Sequence, residues 1–590
     1  MVDLTAQPFN LDEDAITWVR STIASMSDEE KIGQLFVNMG AERSEEYLTS
    51  ILDRYHIGAV RYNPGTAAEV WEQNSILQTK SRIPLLIAAN TESGGNGACT
   101  DGTYVGWEVK IGATADAEWA YQLGRVSGIE ASAVGCNWSF APIVDILKNW
   151  RNPIVCTRTW GADPDLVLEM SKAYMRGIME SGILPAAKHF PGDGIDERDH
   201  HLSSSANTLS CEEWDESFGK VYRGLIDAGL PSIMAGHIMQ PAYQRHFSPA
   251  TSDEELLPAT LSKELITDLL RGKLGFNGLV VTDASHMVGL TGRMARKDIL
   301  PRSIAAGCDL FLFFNDPAED FEWMLQGYRD GVITEERLIE ALERILGLKA
   351  RLGLHSTPRD RILPPKAEAM SRIGLPENLA LAPQVSDHSV TLVKNRDEGL
   401  LPLSPKTTPR ILVVPVNGPE NPISRAFGGG GGSSHPAKRF ADMLEESGYK
   451  VDIHESLFDK LAEMAPEEQA KAVMNIYAGK APISNLTGTW DLVIMVAKVD
   501  GMMQPVERVA WPATKGTVDI PWYVNEVPVI YISTKSPFGL ADVPQVKTYI
   551  NAYDDKDHTL RAVLDKLEGR SEFTGISSVD AFCGFPDTRI

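Results

Sequence analysis

Ile183-Leu184-Pro185-Ala186-Ala187-Lys188-His189-Phe190-Pro191-Gly192-Asp193-Gly194-Ile195-Asp196-Glu197-Arg198-Asp199-His200-His201 is the stretch from which the fold can be read. Its first five residues are apolar, as in a strand covered on both faces. From Lys188 onward it mixes glycine and proline breakers with acids, bases and three histidines. No strand or helix needs that composition. It reads as a loop that presents side chains from the end of a buried strand.

Seven other runs share the character of residues 183–189: residues 32–37, 57–62, 84–89, 137–144, 231–237, 278–282 and 308–314. Helical patterns lie between them. Residues 164–180 have Asp163 as N-cap, Pro164 at the first helical position and Gly182 just past the end. Residues 260–270 carry Leu261, Leu265, Ile266, Leu269 and Leu270. Strand-then-helix units repeated over about 330 residues predict an α/β fold, a (β/α)8 TIM-like barrel. A doubly wound open sheet is the alternative. The first run reads equally well as the end of a helix opened by Ser27-Asp28-Glu29-Glu30.

Barrel sites form at the C-terminal ends of strands. The residues that follow the runs are Asn38, Asn63, Asn90 with Glu92, Asp145, Lys188 with His189, His237, Asp283 and Asn315. All are polar. Loops are polar anyway, but a Lys-His pair and a lone Asp directly after buried runs suggest more than solvation.

At 590 residues the chain exceeds one core. The barrel is expected over 1–354. Residues 355–387, with Pro358, Pro364 and Pro365, read as a linker. A smaller α/β sandwich is expected over 388–590, from strand-like runs at 389–393, 410–416, 491–497, 528–533 and 547–552 and helical segments at 438–447 and 466–477.

A net charge of −24 argues against nucleic acid or an anionic membrane as partner. No apolar run is long enough to span a bilayer, and the first residues lack a signal-peptide pattern. The six cysteines are scattered without a CxxC, so neither a disulfide framework nor a metal clip is expected, and a cytoplasmic location fits. Gly428 to Gly432, followed by Ser433-Ser434-His435, lacks both the P-loop ending and the dinucleotide spacing. It reads as a flexible or substrate-proximal loop.

Two chemistries suit the loop after Lys188. His189, His200, His201, Asp193, Asp196 and Asp199 suffice for a metal, yet no metalloprotease or EF-hand spacing is present. Alternatively Asp199 and His201, two apart, share one face of an extended segment. The carboxylate would then set the imidazole tautomer and leave the other nitrogen for proton transfer. A loop merely stabilised by local Asp–His contacts has the same pattern. Asp283 ends the apolar Gly278-Leu279-Val280-Val281-Thr282 run. It is either an N-cap or a nucleophile aimed into the barrel mouth.

The spacing Lys-His-Phe-Pro-Gly-x-Gly, four residues, Asp-x-His, from Lys188 to His201, resembles the signature of the β-N-acetylglucosaminidase branch of glycoside hydrolase family 3. Asp28-Glu29-Glu30-Lys31-Ile32-Gly33-Gln34, Asn137-Trp138-Ser139-Phe140-Ala141-Pro142, Thr157-Arg158-Thr159-Trp160-Gly161 and Pro258-Ala259-Thr260-Leu261-Ser262 resemble its other motifs, in order. The resemblance implies a retaining exo-β-N-acetylglucosaminidase with Asp283 as nucleophile, His201 as acid/base and Asp199 orienting it. It implies sugar contacts from Arg158, Lys188 and His189, with His237 and Met287 beside them. Where the family has Asp before Gln-Glu-Gly-Gly, this chain has Asn90-Thr91-Glu92-Ser93-Gly94-Gly95, so Asn90 and Glu92 are expected at the far hydroxyls. No metal or cofactor is expected, and the partner is a carbohydrate. Phosphorolysis on the same scaffold, a β-glucosidase and a non-catalytic sugar-binding protein remain as alternatives. The acid/base loop is expected to move.

Overall fold

Among the described residues, ten short strands belong to the first half of the chain: β1 (Phe36–Asn38), β2 (Ala59–Arg61), β3 (Leu86–Ala89), β4 (Trp138–Ser139), β5 (Leu184–Phe190), β6 (Ser205–Ala206), β7 (Ser232–Ala235), β8 (Ile238–Met239), β9 (Leu279–Ala284) and β10 (Leu310–Leu312). Eight of them close a parallel barrel in the order β1-β10-β9-β7-β5-β4-β3-β2, while β6 and β8 pair separately. The open-sheet alternative is thereby excluded. This computed structural model describes residues 2–40, 42–418, 435–456, 461, 464–478, 482–500, 508–511 and 517–590. The glycine-rich stretch Gly428 to Ser434 lies outside the described residues.

The barrel strands are buried along their length, as a sheet with both faces covered requires. Residues 32–37 divide differently from a plain strand. Ser27 caps a helix, Asp28–Gly33, through a reciprocal capping box with Glu30, and only Phe36–Asn38 is extended. The helix at Pro164–Met179 has Asp163 as its cap, its side chain accepting from Asp165 N. The stretch read as a helix over 260–270 is a short 3₁₀ turn, Ala259–Leu261, followed by a wide-turned π-helix, Glu264–Lys273. At the opposite end of the barrel from the strand C-termini, buried Asp309 accepts from Arg271 Nη2 at 2.7 Å, from Arg337 and from Val280 N at 2.8 Å. A buried carboxylate needs such partners, and it ties two flanking helices to β9 and β10.

The chain divides into two units: residues 2–108 with 116–381, and residues 109–115 with 382–590. The expected linker at 355–387 is corrected. It carries helices Lys366–Ser371 and Pro376–Leu379, and up to Leu381 it belongs to the first unit. Trp71 Nε1 donates to Pro364 O at 3.0 Å and Gly374 N to Glu130 Oε1 at 3.0 Å, while Leu363 and Ala369 are buried. Apolar side chains inside a proline-rich, charged stretch made it pack rather than bridge.

The second unit holds β11 (Thr391–Asn395), β12 (Arg410–Asn417), β13 (Lys450–Ile453), β14 (Leu492–Lys498), β15 (Val529–Ser533) and β16 (Thr548–Asn551), in the order β11-β16-β15-β14-β12-β13. Only β11 runs antiparallel to its neighbour. Alternate residues feed two cores. Ile411, Val413, Ile494 and Val496 join Phe440 and Leu444 on one face, and Leu412, Val414, Val493 and Met495 join Tyr531 and Tyr549 on the other. The unit also captures Lys110. Its buried ammonium donates to Asp554 Oδ2 at 2.6 Å, Ser386 Oγ at 2.8 Å and Thr559 Oγ1 at 2.9 Å.

No disulfide links the six cysteines. Among the described residues no helix is long and apolar enough to cross a membrane.

Candidate active site

The C-terminal ends of β3, β4, β5, β7 and β9 bring the polar residues together. β5 supplies Lys188 and His189. The pairing of β5 with β7 slips between Ala187 and Phe190, and such an irregularity re-aims side chains beside a site. Both residues reach acidic partners.

Lys188 Nζ donates to Glu92 Oε1 at 2.6 Å. Arg158 grips the same carboxylate through Nε to Oε2 and Nη2 to Oε1, both at 3.0 Å. Burial opposes the charge on Glu92, but the two cations outweigh it and hold its pKa far below the carboxylate range. Glu92 therefore locks the sugar-binding candidates Lys188 and Arg158 in place. Asn90, at the end of β3, keeps a buried Oδ1 that lacks a hydrogen-bond partner.

His189 Nδ1 and Asp145 Oδ2 share a proton at 2.7 Å. Asp145 Oδ1 accepts from the backbone N–H groups of His189 at 3.1 Å and Asp193 at 2.8 Å. Burial pushes His189 down to about 3, so its ring is neutral, and raises Asp145 to about 7. Its Nε2 stands 4.0 Å from Asp283 Oδ2.

Asp283 closes β9. It caps no helix: the next one, Val288–Thr291, has Met287 at its N-cap, and Asp283 Oδ1 accepts from the adjoining Ala284 N–H at 2.7 Å. Burial disfavours its charge, but the histidines at 189, 200, 237 and 201 favour it, and its pKa falls far below the ordinary value. The group is an ionised carboxylate at the barrel mouth. His237 lies beside it, but its ring nitrogens are spent within the protein. Nε2 donates to Ala284 O at 2.9 Å, and Nδ1 meets Thr260 Oγ1 at 2.9 Å. With both nitrogens so engaged, His237 braces the end of β9. Met287 is buried one turn further on.

Asp199 and His201 meet as their spacing implies, His201 Nδ1 lying 2.7 Å from Asp199 Oδ1. The His201 backbone N–H also donates to that oxygen, at 2.8 Å. Asp199 is buried, whereas the His201 side chain is 37% exposed, which leaves its ring open to a ligand. The loop is bonded to its neighbours at several points. Gly289 N donates to His200 O and Val288 N to His201 O, both at 2.9 Å. Asn152 Nδ2 donates to Asp193 Oδ1 at 2.6 Å and to Asp196 O at 2.8 Å. The segment just after Asp283 thus holds the backbone of the loop that carries Asp199 and His201.

Several residues here had no role assigned to them in the sugar chemistry read from the sequence. Asp145 was visible only as a polar strand end, and its partner His189 lies 44 positions away. Asp193 is raised to about 7 by burial and by neighbouring Asp145. Glu108 is buried and accepts from Ile143 N at 3.0 Å, and burial raises its pKa well above the usual carboxylate range. His286 is exposed, yet it feels the charges of His201 and Asp283.

Residues 27–348 match the glycosyl hydrolase family 3 N-terminal domain. A protein of Cellulomonas fimi named β-N-acetylglucosaminidase/β-glucosidase is 42% identical over the whole of both chains. The structure of a β-glucoside phosphorylase, BglX, superposes with a TM-score of 0.88 at 40% identity, covering 99% of each chain. A family 3 β-N-acetylglucosaminidase from Paenibacillus sp. str. FPU-7 superposes with a TM-score of 0.73 at 25% identity, over 95% of this chain and all of that one.

Proposed function

The chain belongs to glycosyl hydrolase family 3, and on that premise we propose that it is a retaining, exo-acting β-N-acetylglucosaminidase. The observation that carries this reading is one ionised carboxylate, Asp283, at the barrel mouth beside an Asp199–His201 pair 2.7 Å apart. In the first step Asp283 attacks the anomeric carbon. The glycosidic bond breaks, and the leaving oxygen takes a proton from His201 Nε2. In the second step His201 Nε2 removes a proton from water, whose oxygen displaces Asp283 from the sugar. Asp199 holds Nδ1 and stabilises the cationic ring between these steps. Lys188, Arg158, His189 and Asn90 face the sugar hydroxyls, with Glu92 fixing the two cations.

A second reading differs only in the acceptor. Phosphate replaces water and the product is a sugar 1-phosphate. The likeness to a β-glucoside phosphorylase over the full chain favours it. A histidine acid/base, unlike a carboxylate, adds no anion to repel phosphate. The name of the Cellulomonas fimi relative keeps glucosides in view as substrates.

The test is Asp283→Asn assayed on aryl β-N-acetylglucosaminides and β-glucosides, with and without phosphate. Turnover should fall by several orders of magnitude. Turnover within about tenfold of the unaltered enzyme would remove the nucleophile assignment. In the unaltered enzyme, free sugar supports hydrolysis and sugar 1-phosphate supports phosphorolysis.

A further inference from the structure

We infer that the barrel carries a second ligand site, for a small phosphorylated molecule, at the end away from Asp283. A cavity of about 280 Å3 lies there. Ile83 and Pro84 line it and lead into β3 at the N-terminal end of that strand. The barrel strands are parallel, so the cavity is on the opposite side of the barrel from the strand ends that hold Asp283. Its other walls come from the last turns of the helix Glu13–Ser25 and from the chain just after the helix Glu335–Arg351. His355 and Arg359 belong to the stretch whose prolines and charges read as a linker, and both line the cavity.

Two buried atoms of these lining residues are unsatisfied. Arg359 Nη2 donates to Arg82 O at 2.7 Å, but Nη1 has no hydrogen-bond partner, and among the described residues no carboxylate pairs with this guanidinium. Burial lowers its pKa, the mark of a cation held partly out of water. His355 Nδ1 is buried without a partner as well. Orphaned buried polar atoms in a native protein call for an occupant. Arg82 also lines the cavity, with Nη1 on Glu30. Two guanidiniums and an imidazole suit phosphate, whose several oxygens match forked donors. The cavity is larger than one phosphate needs. Trp18, Ile83 and Leu354 give the remaining space an apolar wall, the Trp18 ring standing 5.5 Å from the His355 ring. That wall suits the body of a sugar, with its phosphate turned to the arginines. On a chain of net charge −24, such a basic cavity attracts an anion that most of the surface repels.

The site stands on these residues and does not depend on the catalytic roles proposed above. The experiment titrates glucose 6-phosphate into the full chain by calorimetry, with gluconate and inorganic phosphate as separate arms. The unaltered protein is compared with Arg359→Gln and His355→Leu. The ester should bind one per chain, and inorganic phosphate at the same place more weakly. Arg359→Gln, which keeps a donor for Arg82 O and removes the charge, should bind the ester at least about tenfold more weakly and turn over substrate at the unaltered rate. His355→Leu should weaken binding in the same direction. A crystal of the unaltered protein with the ester should show its phosphate on Arg359 Nη1, which decides the matter if neither variant folds. No binding up to about 10 mM overturns the site. So does binding that a folded Arg359→Gln retains in full, since the ester then lies elsewhere, the barrel mouth included. Gluconate bound as tightly as the ester would overturn the choice of phosphate.

Discussion

Replacing Asp199 with Asn isolates the part of the proposed mechanism that is electrostatic. Asparagine keeps the size of the side chain and one oxygen, so the His201 backbone N–H, now 2.8 Å from Asp199 Oδ1, retains an acceptor. What disappears is the charge behind the 2.7 Å contact to His201 Nδ1. Asp199 is only 2% exposed, so water does not replace it. A hydrogen bond to a charged group contributes about 1.5–3 kcal/mol. If that stabilisation is realised only when the ring is cationic, the loss appears in the barrier. At 1.36 kcal/mol per decade it lowers kcat/KM by roughly 10–150-fold. The loss should depend on the leaving group. A methyl β-N-acetylglucosaminide needs its oxygen protonated and should show the whole effect in bond cleavage, whereas a dinitrophenyl glycoside, with an acidic leaving group, should show little. Single-turnover kinetics on the two substrates measure this. A loss below about threefold on the methyl glycoside, or equal losses on both, would refute the assignment of Asp199 and His201 as a proton-transfer pair.

Other outcomes follow from the buried charges. Glu92→Gln leaves Lys188 and Arg158 side by side without a counter-charge, which should cost about 3–5 kcal/mol; an unchanged urea midpoint would show that the triad is not coupled. Glu108 has a raised folded pKa, so the folded protein holds its proton more tightly than the unfolded chain, whose carboxyl titrates near about 4.3. The protonated form's stabilisation is full below that pH and is lost as pH rises towards the folded pKa, at up to about 1.4 kcal/mol per pH unit. Glu108→Gln should remove this slope, matching the parent in acid and exceeding its melting temperature in alkali; a parallel pH profile would count against a neutral Glu108. Lys110→Met strands the Asp554 carboxylate inside the second unit, at about 3–5 kcal/mol, and Lys110→Met with Asp554→Leu should regain most of it. Differential scanning calorimetry of both variants checks the recovery, and failure of the double variant to recover would mean that Ser386 and Thr559 bind the lysine as much as the carboxylate does.

Much of the barrel was legible because parallel strands covered on both faces must be apolar, and run after run in the first half had that character. β13 was not legible. It lies at the sheet edge, with Lys450, Asp452 and Ile453 exposed, so no burial pattern marked it. The helix over residues 28–33 was legible from its Ser27 start, but where it gave way to strand within residues 32–37 was not, since buried helix and buried strand both read as apolar there. In the site, Asp199 and His201 were legible because their partnership is local. The two-residue spacing delivers the 2.7 Å contact without help from the rest of the fold. The double use of His237 nitrogens, by Thr260 and by the Ala284 carbonyl, was not legible, because neither partner lies near it in the chain.

By itself the sequence determined the strand-then-helix alternation of the barrel, the two units in outline, and the family, since apolar periodicity, breakers and contiguous motifs are local properties of the chain. The tertiary structure alone decided which charges meet. Glu92 joins Lys188 across 96 positions and Arg158 across 66, and residues 109–115, Lys110 among them, fold with the second unit although they sit within the sequence of the first. Buried charges must find partners wherever the closed barrel and the sheet bring them, and only closure sets those distances.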